Sequence, residues 1–134
     1  MLKPIALYLI ATITFFAIDL TWLGLIARKF YFSQLGHLLK TDINWVAAIS
    51  FYLIFIVGIL VFAVYPALNS NSIQKAIILG ALFGFIAYAT YDLTNLATLK
   101  DWPLKLVFVD MIWGSILSAT VASVTFYLSR YINI

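Results

Sequence analysis

The run IQKAIILGALFGFIAYATYDLTNLATL, residues 73–99, decides the fold. It is continuously apolar over most of its length and never alternates, so it reads as a bilayer-crossing helix and not as a strand. Within it Ala76, Gly80 and Gly84 recur every four residues, a small-residue stripe that lets another helix backbone approach closely. The same row continues to Tyr88 and Asp92. The close-packing face and the polar face are therefore one face, and Asp92 is turned toward protein instead of lipid.

Three further apolar runs, 4–27, 45–68 and 104–128, each approach the ~20 residues needed to cross a ~30 Å hydrocarbon core. With 65% hydrophobic and 10% charged residues and a mean hydropathy of +1.08, the chain lies outside the soluble globular range. The expectation is an all-α polytopic membrane protein, one four-helix transmembrane unit over residues 1–134. A barrel is excluded because the runs do not alternate. The first run is long, contains Asp19 and lacks a small-x-small cleavage site, so it reads as a retained helix and not a signal peptide.

The pI near 9.2 and net charge of +3 do not indicate nucleic acid, because the basic residues sit singly at the ends of the runs. They act there as topology determinants and lipid contacts, and the bilayer is the partner they imply. Arg28, Lys29, Lys40, Lys100 and Lys105 flank one membrane face, against Lys3, Lys75 and Arg130 on the other. This bias places both termini on the outer side. Cysteine is absent and His37 has no ligand partner at useful spacing, so no metal site and no cofactor is implied.

The longest connection, 28–43, carries Tyr31, Leu35, Leu38 and Leu39 on one helical face and Lys29, Ser33, Gly36, His37 and Lys40 on the other. That is the pattern of a short amphipathic helix in the headgroup plane; an irregular loop is the alternative. Helix 2 is expected to stop at Tyr65-Pro66, and Ser72 to cap helix 3. Tyr8, Tyr65, Trp102, Tyr127 and Tyr131 fall near run ends and read as interfacial belt residues. On helix 4, Ser115 and Ala119 continue a second small stripe beyond Asp110.

The three intramembrane acids share one depth. At 1.5 Å per residue, Asp19, Asp92 and Asp110 lie about 12, 10 and 9 Å from the same membrane face. Trp22, Asn95 and Trp113 each follow an acid by three residues, and Tyr52 and Tyr88 fall in the same layer. Three unpaired aspartates would oppose insertion by roughly 8–10 kcal/mol. They must be compensated or used, and a cluster that binds a ligand or protons is the description that fits. A fully satisfied hydrogen-bond network that only fixes packing is the bland alternative.

The segments Asp19-x-x-Trp22-Leu23-Gly24, Phe51-Tyr52, Ala87–Asn95 and Asp110-x-x-Trp113-Gly114 resemble domain-of-unknown-function family 2177, small bacterial predicted membrane proteins. The resemblance covers essentially the whole chain, and Tyr-Asp-Leu-Thr-Asn is its most specific part. It implies a four-helix protein of the bacterial inner membrane and carries no activity with it.

Three functions stay open from the residues. The first is a small proton-linked carrier or binder of an amphipathic or cationic molecule, since carboxylates ringed by Trp and Tyr suit a cation. A scaffold of four helices would then be expected to form a homodimer through the Gly80/Gly84 or Ser115/Ala119 stripe. The second is an intramembrane enzyme in which the three acids hold a divalent ion or act as acid and base on a lipid-like substrate. The third is an accessory subunit whose polar layer is structural.

Overall fold

The computed structural model describes residues 2–134. Four helices are long and apolar enough to cross a membrane: α1 (Leu2–Ile26), α3 (Trp45–Asn69), α4 (Ile73–Thr98) and α5 (Leu104–Tyr131). A short helix, α2 (Arg28–Leu35), links the first two. The expected all-α bundle is what forms.

Local chemistry explains the boundaries. The Ala47 N–H donates to Asn44 Oδ1 at the start of α3 (3.1 Å), and the Lys75 N–H donates to Ser72 Oγ at the start of α4 (3.2 Å). Asn71 and Asp101 take left-handed backbone conformations in the two short turns, with φ of 52° and 59°. Hydroxyls within the spans, including Thr12, Thr14, Thr90, Thr120 and Thr125, donate to the carbonyl four residues back. These side chains are thus satisfied without leaving their own helix, as lipid requires.

Two expectations about helix ends change. α3 does not stop at Tyr65-Pro66; it continues to Asn69 through a π turn at Leu60–Val64, where the Tyr65 N–H bonds back to the Leu60 carbonyl. Pro66 cannot donate and would crowd the carbonyl four residues earlier, and the wider turn before it removes the conflict. The connecting helix is also shorter than its apolar pattern implied. It ends at Leu35, leaving Leu38 and Leu39 half-exposed beyond it.

The four spans form a ring in the order α1, α3, α4, α5. Its tightest seam joins α4 to α5. A Cβ on Gly80 would lie 2.8 Å from the Ser118 carbonyl and 2.9 Å from Ala119 Cα, and one on Gly84 would collide with the Gly114 carbonyl. Ser115 Oγ–H crosses this seam to the Ala81 carbonyl (2.9 Å). Both small-residue stripes are therefore consumed inside one chain, and neither is available to a second copy as the homodimer expectation required. Farther along the seam the Tyr88 ring lies against Gly114, and Asp92 lies beside Asp110.

Elsewhere the ring is closed by aromatic packing. Phe15 of α1 meets Tyr52 and Phe55 of α3 at centroid distances of 5.4 and 5.9 Å, and Phe55 stacks on Phe83 of α4 at 5.3 Å. A second small core lies under α2, where Leu35 meets Trp102, Leu106 and Val107. Trp102 is thus a buried packing residue against Tyr91, not a belt residue.

Gly80→Ala should destabilise the bundle by about 1–3 kcal/mol, because the added methyl meets backbone that cannot yield. Gly24→Ala, with nothing within 4 Å of its Cβ, should leave stability unchanged or slightly raised. Thermal unfolding midpoints of the two variants in detergent check this.

Candidate functional site

Each wall of the ring contributes to one polar layer. α1 presents Asp19, α3 Tyr52, α4 Tyr88 and Tyr91, and α5 Asp110 and Trp113. A cavity of about 340 Å³ opens between them, lined by Asp19, Leu23, Tyr31, Phe51, Tyr52, Ala87, Tyr88, Tyr91, Asp110 and Trp113. That volume is at the small end of ligand pockets. Six of the ten lining residues are aromatic and two are acids, with no basic residue among them.

The donors to two of the acids are neutral. The Trp113 Nε1–H donates to Asp19 Oδ1 (3.2 Å), and the Tyr31 phenol donates to Asp110 Oδ1 (2.6 Å). Trp22 Nε1–H in turn donates to the Tyr31 oxygen (3.3 Å), while its ring stacks on Trp113 at 4.2 Å and 9°. Trp22, Tyr31 and Trp113 therefore form one connected assembly holding Asp19 and Asp110 in place. Tyr52 also approaches Asp19. Neither donor is a cation: an indole and a phenol hydrogen-bond a carboxyl group without bringing a positive charge to it.

Asp92 differs. It is completely buried, and among the described residues no N–H or hydroxyl donor reaches either of its carboxyl oxygens. It does not line the cavity; it lies behind it in the α4–α5 seam, next to Asp110. Asp110 in turn interacts with Asp19. The three acids form a row with Asp110 in the middle. Even so, among the described residues no three carboxylate or imidazole groups are arranged to hold a metal ion.

Of the residues selected from sequence, Asp19, Tyr52, Tyr88, Asp110 and Trp113 line the cavity, and Trp22 supports it from behind. Asn95 is half-buried and outside the lining. Three residues with chemical weight escaped selection. Phe51 and Tyr91 sit beside chosen residues but point about 100° away from them on their helices, a difference that matters only once the cavity is located. By the sequence pattern Tyr31 falls on the apolar face of the connecting helix, with Leu35, Leu38 and Leu39. It turns inward, and its burial together with the Asp110 carboxylate raises its phenol above the ordinary tyrosine range. A phenol on an otherwise leucine-lined face was the available signal.

Residues 4–127 match the family described as predicted membrane protein (DUF2177), and the chain belongs to that family. Comparison with curated proteins and with solved structures finds no match. Membrane character is thus shared with the family, and the four spans and the chemistry of the site rest on this chain's own geometry.

Tyr31→Phe removes the donor to a buried carboxylate and should cost about 1.5–3 kcal/mol of stability. Because the folded phenol titrates above its ordinary value of 10.0, the wild-type advantage should be constant through neutral pH. It should narrow only as the pH rises beyond that value. Unfolding free energies of both proteins against pH measure this.

Proposed function

We propose that the cavity binds a small organic cation and exchanges it for a proton carried by the neighbouring pair Asp92 and Asp110. The observation that carries this is the pairing of Asp19 and Asp110 in one aromatic-walled cavity without a basic residue in its lining. Carboxylates supply charge attraction, and the faces of Tyr52, Tyr88 and Trp113 supply cation–π contact, which strengthens when water is excluded. An anion would meet two like charges there, and a neutral molecule would gain nothing from either acid.

The proton part follows from Asp92. A buried carboxylate without a donor is costly, and the group beside it is another carboxyl. One proton between the two satisfies both: the protonated oxygen donates and the other accepts. A cation arriving at Asp110 stabilises that carboxylate in its ionised form and weakens its hold on the shared proton. One positive charge enters as another leaves, so the polar layer keeps a constant net charge through the exchange. This is the arrangement that a proton-linked carrier or binder needs.

Tetramethylammonium is a suitable probe, read by the fluorescence of the stacked Trp22 and Trp113. It should bind the wild type more tightly as pH rises, since protons compete for the same carboxyl pair. Asp110→Asn should weaken binding about 10- to 100-fold, and Asp92→Asn should flatten the pH dependence. Equal binding of a neutral tert-butyl compound, or undiminished binding by Asp110→Asn, would overturn the proposal.

A further inference from the structure

The first half of α3 stands apart from the bundle. No residue from Trp45 to Ile54 is buried, and burial begins only at Phe55. The helix is attached to α4 chiefly through its second half, where the π turn Leu60–Val64 packs and Gly58 lies against the Phe83 ring. On the α1 side Tyr52 closes the ring against Phe15 and Phe16. On the α4 side the Phe55 ring also meets Tyr88 at 6.1 Å, and among the described residues no aromatic pair joins the two helices beyond it.

Two cavity residues sit at that unclosed side. Phe51 of α3 is 49% exposed and Tyr91 of α4 is 53% exposed, yet both line the same cavity as Asp19 and Asp110. A residue can line an interior cavity and face the surroundings only at an opening. Both residues lie within the spans, so the surroundings here are lipid. α2 covers the neighbouring end of the cavity instead, with Tyr31 bonded to Asp110 and Leu35 packed on Trp102 and Leu106.

We infer that the gap between the first half of α3 and α4 is a lateral portal, and that the ligand is a cationic amphiphile entering from the bilayer. Resting on the cation-binding reading above, this adds the ligand's second half. Its charged head reaches Asp19 and Asp110, while its alkyl tail leaves between Phe51 and Tyr91 and stays in the hydrocarbon. The occupant is fixed by complementarity: the inner end of the passage is acidic and the outer end is apolar. A small water-soluble cation can occupy the acidic end but has no tail to place in the apolar one. An amphiphile is already dissolved in the lipid, and a cavity of about 340 Å³ need hold only its head.

Photolabelling tests the portal. The full chain in phosphatidylcholine nanodiscs is irradiated with a long-chain alkyltrimethylammonium bearing a diazirine in mid-chain, with and without excess tetramethylammonium. Expected is labelling concentrated on Phe51, Tyr91 and adjacent residues of α3 and α4, and suppressed when tetramethylammonium occupies the acids. Label spread evenly over lipid-facing positions such as Ile54, Ile112 and Ile116, or unaffected by the competitor, would overturn the portal. If tetramethylammonium still quenches tryptophan fluorescence in an Asp110-dependent way, the cavity reading survives that failure. Should that quenching also be missing, the cation reading itself is what has failed.

Discussion

The close approach of two backbones at Gly80 and Gly84 is the contact on which the rest of the structure depends. Lipid offers no hydrophobic drive for one apolar helix to join another, so association rests on dispersion contacts and interhelical hydrogen bonds. Both require proximity that side chains prevent. With no Cβ at positions 80 and 84, α4 meets the carbonyls of Gly114 and Ser118 directly, and Ser115 bonds across the seam. A register set there propagates along both helices. It sets the Tyr88 ring against Gly114 and Asp92 beside Asp110.

The polar layer is unevenly compensated. Asp19 and Asp110 are held by an indole and a phenol that are themselves locked by the Trp22–Trp113 stack. Asp92 has no such support. A purely structural network would be expected to satisfy its most buried member first. Here the most buried acid is the one left without a donor, beside another acid.

The same unevenness recurs on the scale of helices. α4 and α5 are joined along most of their length, whereas α3 is secured at one end and open at the other. Pro66 and the π turn belong to its secured end, so the irregularity there allows the span to continue as far as Asn69. The free end carries Phe51 and Tyr52, one facing the opening and one facing Asp19. A bundle packed uniformly would have no space between these helices and no access to its acids.

Hydropathy alone determined the four spans, because the requirement that every backbone group be satisfied in lipid leaves a long apolar run only one structure. The i+4 row from Ala76 through Gly80 and Gly84 to Asp92 likewise announced both the seam and the inward turn of the acid, since helical geometry maps spacing onto faces. Asp19, Tyr52, Tyr88, Asp110 and Trp113 were legible by the same geometry. What the spacing could not convey was which helix each face would meet. The stripe could equally have served a second copy, Trp102 could have lain in the headgroups, and Tyr31 could have faced lipid. Those outcomes were decided by tertiary structure. The α4–α5 seam took both stripes, and α2 folded back over it, burying Trp102 and driving Tyr31 onto Asp110. Asn95 fell outside the cavity while Phe51 and Tyr91 came to its mouth. Each depends on the relative position of two or more helices, a quantity that no periodicity within a single helix contains.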